Sequence, residues 1–248
     1  KMHPRITETA KRLWLIYFIL TLAEFFLLKI AGMTWFDAIN HAMATMSTGG
    51  FSTKNASIAH YDSFPVIQYI IIIFMFIAGA NFVLTYFALR GRISKVFKSE
   101  EFRYYFFGTI GITLLITFLI VHYQDLNLAT SLHHSKNWGE TESAFRHAAF
   151  SVVSVLTTTG FVSADFTMWN SMVTALIFSL FFIGGSAGST SGGIKIVRHI
   201  IMIKSSFYEF KKLLHPNAII PVRYDGSGVS KSIIYNILSF FILYMLIF

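Results

Sequence analysis

The sequence predicts an all-α, polytopic membrane protein, and three observations carry that expectation. Of its 248 residues 54% are hydrophobic and 13% charged, whereas soluble domains average about 45–50% apolar and about 25% charged residues. Several uncharged runs approach the ~20 apolar residues that a helix needs to cross a bilayer core. Basic residues cluster between these runs and are scarce within them. The chain has no cysteine, so disulfides, thiolate chemistry and cysteine metal sites are excluded.

Taken in order, residues 13–30 are apolar apart from Glu24 and Lys29 and read as a first span. Residues 66–89 carry no charge, follow Pro65 at a position where a helix start accepts proline, and stop at Arg90-Gly91-Arg92. They read as one continuous span. Residues 104–121 form a third uncharged run. Residues 171–194 are uncharged too, but 184–193 are dominated by glycine and serine, which are poor helix formers. The apolar part before them is about 20 Å of helix and does not span alone. Helical pattern resumes at Ile194 and continues to about Phe210, and a last apolar run starts near Ile233. The absence of an initiating methionine and the apolar run at the end lead us to expect a piece of a longer protein.

The net charge of +8 invites a nucleic-acid reading until its placement is considered. Sixteen of the twenty Lys and Arg residues lie before residue 13, at 90–103, or at 195–231, leaving Lys29, Lys54, Lys136 and Arg146. Cytoplasmic loops carry such an excess, so the basic balance is a topology signal: basic loops inside, no nucleic acid. On the other face Asp37, Asp62, Asp125, Glu140, Glu142 and Asp165 are expected to be mildly attractive to cations.

The chain repeats itself once. Met46-Ser47-Thr48-Gly49-Gly50-Phe51-Ser52 aligns with Leu156-Thr157-Thr158-Thr159-Gly160-Phe161-Val162 at an offset of 110 residues. Each follows a short semi-apolar helical stretch, residues 35–45 and 144–155, and each lies between two spans. About 11 residues make about 16 Å of helix, which reaches mid-membrane without crossing, so both connections read as re-entrant loops. Non-helical backbone at that depth is tolerated only where it is buried in protein or lines a watery cavity. Glycine lets successive carbonyls turn inward, threonine adds a neutral oxygen, and rings of such oxygens replace a cation's hydration shell. Neutral oxygens suit a monovalent cation better than a divalent one. Each segment taken singly also reads as an ordinary polar turn.

The run Gly184-Gly185-Ser186-Ala187-Gly188-Ser189-Thr190-Ser191-Gly192-Gly193 has three readings. Small residues four apart mark close helix packing. A phosphate loop lacks its Gly-Lys-Ser/Thr ending and its preceding strand. An unwound break facing a cavity, of the kind found beside ion or substrate paths, is the reading we prefer. Among other residues, Glu24 and Lys29 are expected to reach the outer interface, with Glu24 a candidate intramembrane acid. His133 and His134 lack further ligands at metal spacing. Gln68 and Asn81 read as interhelical hydrogen-bonding groups. No nucleophile–base set or carboxylate pair converges in the sequence, so no enzyme is expected.

Together the two Ser/Thr-Gly-Phe segments, the Ser163-Ala164-Asp165-Phe166 that follows the second, and residues 184–193 with Ile194-Lys195 resemble the TrkH-like potassium uptake proteins of bacteria, in the Trk/Ktr/HKT superfamily. The resemblance covers nearly the whole chain, and the third motif is its most specific part. It implies span, re-entrant pore helix, span repeats around a pseudo-fourfold pore. Residues 1–102 correspond to a second repeat, 103–212 to a third with a broken second span, and 213–248 to a linker and the start of the next. Ser47, Thr48, Gly49, Gly50 and Phe51, with Thr157, Thr158, Thr159, Gly160 and Phe161, then match the potassium-binding filter. Residues 184–193 and Lys195 match the gate loop. Potassium is the implied transported ligand, with no covalent cofactor. A homodimer in the bacterial inner membrane and a cytosolic nucleotide-binding regulatory subunit are also implied. The departure is that the first repeat, the fourth filter and the helix after it are missing, and two filter segments cannot enclose an ion alone.

Two rival classes remain open from the residues. One is a secondary transporter of a small solute at a broken-helix site, with Glu24 as its acid. The other is a membrane scaffold in which the glycine segments serve packing only.

Overall fold

The computed structural model describes residues 4–123, 138–214 and 221–247; Asp125, His133, His134 and Lys136 lie outside them. Helix α1 (Pro4–Ile30) contains the apolar stretch Ala10–Ile30, long enough to cross a membrane. It stops beside Gly32, whose φ of 112° is open to glycine and strained for other residues. Thr34 then caps α2 (Trp35–Met46), its hydroxyl accepting the Asp37 amide at 3.1 Å. Twelve residues give about 18 Å of helix, so α2 ends inside the layer that α1 crosses.

After residues 47–56 and a short 3-10 turn at Ser57–Tyr61, α3 (Pro65–Ala78) begins with proline at its first position. Here the expectation of one continuous span over 66–89 is corrected. Helix α3 and α4 (Phe82–Leu89) meet at 114°. Gly79 caps the end of α3, and a Cβ there would strike the Thr157 side chain and the Tyr105 hydroxyl. Asn81 restarts the helix as the N-cap of α4, accepting the Val83 amide at 2.8 Å, and so is a cap, not an interhelical bridge.

A six-residue helix α5 (Ile93–Lys98) leads into α6 (Glu100–Tyr123), which has the length and apolarity of a second span. Helix α7 (Glu140–Leu156) starts four residues earlier than the sequence suggested. Helix α8 (Ser171–Leu180) is short, as expected, and residues 181–195 are non-helical before α9 (Ile196–Leu214). A two-stranded hairpin, β1 (Arg223–Tyr224) and β2 (Ser227–Gly228), precedes α10 (Lys231–Ile247). Its turn is Asp225-Gly226, with φ of 45° and 78°, the paired positive dihedrals that a two-residue hairpin turn requires. Among the described residues two helices cross a membrane by length and composition, or three with the bent pair counted as one.

Two apolar clusters hold the re-entrant helices. Ala38 and Ala42 of α2 pack with Leu28 of α1 and Ile67, Ile71 and Met75 of α3, and Phe150, Val153 and Phe161 join the same cluster from the later unit. Ala144, Ala148 and Val152, on the other side of α7, pack against Ile116 and Ile120 of α6 and Val173 and Ile177 of α8. Small residues on the re-entrant helices let their neighbours approach closely.

The N-terminal ends of α2 and α7 are fixed by charge pairs. Arg146, fully buried in α7, donates to Asp62 at 2.9 Å, to Glu142 at 3.0 Å and to Gln68. Tyr69 donates to Glu142 at 2.9 Å, and His147 lies 3.2 Å from Asp62. In the first unit Asp37 pairs with Lys54 at 3.2 Å and accepts the Thr53 hydroxyl. Asp37 and Asp62 are therefore buried structural partners, which corrects the expectation that they attract cations at the surface. Gln68 is a hydrogen-bonding partner within this network, reaching from α3 to α7.

Arg146→Gln leaves Asp62 short of its buried cation and should destabilise the protein by about 3 kcal/mol, read as a lowered unfolding temperature of the full-length protein in detergent. Arg146→Lys keeps the charge without the fork and should recover only part of the loss. Burial alone would push the Asp37 carboxyl up, but hydrogen bonds from Thr53, Thr34 and Lys54 hold it well below the usual carboxylate range. Its folded value is depressed, so its stabilisation is complete above about pH 4 and is lost as pH falls through the lower, folded value. Thermal unfolding below about pH 4 should accordingly depend less on pH in Asp37→Asn than in the parent.

Candidate functional site

Helices α2 and α7 end at Met46 and Leu156, immediately before the two repeated segments. The termination is the same in both over the first three amides. Ser47 and Thr157 donate their amides to Met43 and Val153 at 3.0 and 2.9 Å. Thr48 and Thr158 donate to Thr45 and Val155 at 2.9 Å, and Gly49 and Thr159 to Ala44 and Ser154 at 2.8 and 2.9 Å. Every pair obeys the 110-residue offset.

The backbone then alternates in hand. Thr48 and Thr158 have φ of 52° and 55°, Gly49 and Thr159 are not positive, and Gly50 and Gly160 are at 66° and 83°. Alternating handedness gathers successive N–H groups on one side of a chain and leaves the carbonyls on the other. The left-handed threonines are strained, and such strain persists only where the surroundings enforce it. Each segment also lies at a helix C-terminus, whose partial negative charge favours a cation.

The two segments meet. A Cβ on Gly50 would run into the Thr159 carbonyl oxygen and lie 3.1 Å from the Gly160 carbonyl carbon, so only glycine permits this approach. Gly160 has open space where a Cβ would stand; its glycine requirement is the dihedral alone. Ser47 and Gly160 are exposed, Thr48, Thr157 and Thr159 are buried, and Gly49, Gly50 and Thr158 lie between. Phe51 and Phe161 differ most: Phe51 is 79% exposed, and Phe161 is buried with its ring 5.9 Å from that of His41 in α2. Behind the segments, Ser154 donates to the Phe161 carbonyl at 2.7 Å, and Thr157 and Thr159 share a hydroxyl contact of 2.8 Å. His41 bridges the Asp37 carbonyl and the Ser52 hydroxyl at 2.7 and 2.8 Å, and burial pushes its imidazole below the ordinary value.

The unwound run 184–193 lies against both segments. Thr48 donates its hydroxyl to the Thr190 carbonyl at 3.0 Å, and Gly192 donates its amide to the Thr158 hydroxyl at 2.6 Å. The break between α3 and α4 takes the rest. The Ser186 amide donates to the Gly79 carbonyl at 2.9 Å, and Thr190 donates amide and hydroxyl to the Ala78 carbonyl at 3.3 and 3.2 Å. Gly184 backs onto Gly192 and Gly193, and Gly185 onto the Gly79 carbonyl. Ser189 and Ser191 share a hydroxyl contact of 2.7 Å, and Lys195 returns to the Ser191 carbonyl and hydroxyl. Ala187 is held by the buried Glu101 of α6, whose carboxylate accepts its amide at 2.6 Å. Gly188 accepts the Phe82 amide at 3.2 Å.

All the residues singled out from the repeats and the glycine run thus form one assembly. Glu24 does not reach the interface, contrary to expectation. It is fully buried on α1 beside Thr45 of α2. Sequence reasoning missed Arg146, Glu101 and Asp225. The first carried a signal, Glu142 and Arg146 at i,i+4 on a helix; so did the third, in its Asp-Gly turn dipeptide. Glu101 carried none. Among the described residues no cluster of three metal-ligating side chains occurs.

Comparison with known proteins agrees with this architecture. A family model described as TrkH, a cation transport protein, matches residues 1–248. The Trk system potassium uptake protein TrkH of Escherichia coli (strain K12) is 39% identical over 249 residues, covering 100% of this chain and 49% of that protein. TrkG of the same strain is 31% identical over 247 residues, covering 99% and 48%. The crystal structure of the potassium transporter TrkH from Vibrio parahaemolyticus matches with a TM-score of 0.87 at 35% identity, over 99% of this chain and 50% of that one. The chain therefore spans about half the length of the relatives it matches. It is a mostly helical, multi-pass membrane protein, and it belongs to the TrkH family of cation transport proteins.

Proposed function

We propose that the full-length protein takes up potassium through a filter of backbone carbonyls, to which this chain contributes two of four segments, residues 47–51 and 157–161. The observation that carries the reading is the pair of segments with identical hydrogen-bonded starts and identical alternation of handedness, in contact at Gly50. A dehydrated monovalent cation is then met by neutral oxygens at the ends of two helix dipoles. Residues 184–193 are the gate, because they close on both segments through Thr48 and Thr158. In this reading residues 1–102 and 103–212 are the second and third of four pore repeats, and 213–248 is a linker with the start of the fourth.

Two surfaces support the missing repeats. Phe161 of the later unit packs on His41 of the earlier one. The position 110 residues after His41 is Ser151, and it lines an open cavity of about 370 Å³ with Ser154, Phe161 and Phe181. That cavity is the place for the corresponding aromatic residue of the next repeat, and exposed Phe51 is the matching projection toward the previous one. The protein acts as a homodimer in the inner membrane, and its basic loops face the cytoplasm and receive a nucleotide-binding regulatory subunit. Exposed Arg90, Arg92, Lys95 and Lys98 supply the surface for that contact. The rival secondary transporter is favoured by one observation, the fully buried carboxylate of Glu24, and substrate-dependent proton uptake by the full-length protein would decide for it.

Reconstituted full-length protein should pass potassium and rubidium in preference to sodium, and equal sodium flux overturns the reading. Gly160→Ser should lower the potassium-to-sodium flux ratio through dihedral strain, by about tenfold if the strain is of the order of 1–3 kcal/mol. Gly50→Ala should do more damage than Gly160→Ala, because only the former forces the two backbones apart. Deleting residues 186–191 should raise potassium flux without changing that ratio; unchanged flux removes the run from the gate.

A further inference from the structure

The gate loop is anchored at four places, and three of them are internal to the pore assembly: Thr48, Thr158 and the 79–81 break. The fourth is different. Glu101 belongs to the first turn of α6, next to the basic 90–103 stretch, and is 4% exposed. Its carboxylate accepts the Ala187 amide at 2.6 Å, the Val197 amide at the start of α9 also donates to it, and Lys195 lies near enough to interact with its charge. One carboxylate therefore gathers the middle of the loop, its end and the helix beyond. This contact ties the loop to α6, outside the two segments and the 79–81 break.

Glu101 is itself placed by a distant part of the chain. Its neighbour Glu100 donates its amide to the Asp225 carboxylate at 2.8 Å, so the hairpin turn caps α6 from 125 residues away. Lys204 of α9 joins the Glu100 carboxylate and donates to the Arg223 carbonyl at 3.0 Å. Tyr224 packs on the cluster of Ala80, Tyr105, Leu156, Ile196 and Ile200, which borders the loop on both sides. Asp225 and Gly226 themselves are exposed. The hairpin is thus open to a partner on one face and bonded to the helix turn that holds the loop on the other.

We propose that Glu101 is the latch of the gate loop and that the 223–228 hairpin sets it: Asp225 fixes the first turn of α6, Glu101 pins the Ala187 amide, and displacement of the hairpin frees the loop. Glu101 is a positioning residue, acting through the Ala187 amide. The proposal rests on residues 184–193 being the gate, and adds to that reading the group that keeps it shut and the element through which a protein on the basic face would open it.

The test is potassium flux, with single-channel open probability, in reconstituted full-length protein. Glu101→Ala should raise closed-state flux by about tenfold, since the Ala187 and Val197 amides both lose their acceptor. Glu101→Gln, whose amide oxygen still accepts from Ala187, should restore most of the closure, which a merely structural role of the side chain does not predict. Asp225→Gly keeps the positive φ of the turn and removes only the carboxylate at an exposed site, so it remains informative if Glu101→Ala fails to fold. It should raise flux in the same direction, and combined with Glu101→Ala it should add nothing, because both act along one path. If deletion of residues 186–191 raises flux while Glu101→Ala and Asp225→Gly leave it unchanged, the latch is overturned and the gate stands. If the deletion also does nothing, the gate reading fails and the latch with it. Additive effects of the two substitutions overturn the coupling to the hairpin.

Discussion

Backbone that leaves helical form within a bilayer must find partners for its N–H and C=O groups, because no lipid atom supplies them. The rest of this structure depends on how that requirement is met. Four pieces of chain unwind at depth: 47–51, 157–161, 79–81 and 184–193. They satisfy one another, Thr48 with Thr190, Gly192 with Thr158, Ser186 with Gly79, and Thr190 with Ala78. No one of them is tenable without the others, which is why the bend in the second span, the paired segments and the glycine run occur together.

The glycines serve this mutual fit in two distinct ways. Gly79, Gly184 and Gly185 are glycine because another backbone or side chain occupies the volume of a Cβ, while Gly160 and Gly188 are glycine because their φ is positive. Gly50 is both. The proposed conduction pathway uses what is left over. Once the amides are spent on the helix ends and on the loop, carbonyl oxygens at the C-terminal ends of α2 and α7 remain for a cation. A site built this way carries no formal charge, so it holds a monovalent ion without trapping it.

Charge is kept away from that path and used to hold the frame. The fully buried Arg146 collects Asp62, Glu142 and Gln68 and so ties α7 to the connection and helix that belong to the earlier unit. Removing one member of such a set is far more damaging than its net contribution suggests, because the remaining charge stays buried. At the opposite end Glu101 and Asp225 do for the loop what Arg146 does for the outer rim. Charge pairs fix the N-terminal ends of the re-entrant helices, while the loop is held mainly by backbone and hydroxyl contacts with one carboxylate among them. That asymmetry suits an assembly in which one part stays and another moves.

Much of this was legible in the chain itself. The long helices follow from uninterrupted apolar runs, a local property that needs no knowledge of neighbours. The two segments follow from their identity at a fixed offset, and the unwound run from a glycine content that no helix tolerates. What the sequence could not determine were contacts between residues far apart along it. The span 66–89 reads as continuous because nothing local shows that Thr157 and Tyr105 will crowd Gly79. Asp62 and Asp37 read as surface acids because their cations, 84 and 17 residues away, are brought to them only by folding. Glu24 reads as interfacial until α2 is laid over it. Composition and period fix which segments enter the membrane and how deep they go; which buried groups meet there is a matter of three-dimensional proximity, and only the packed helices decide it.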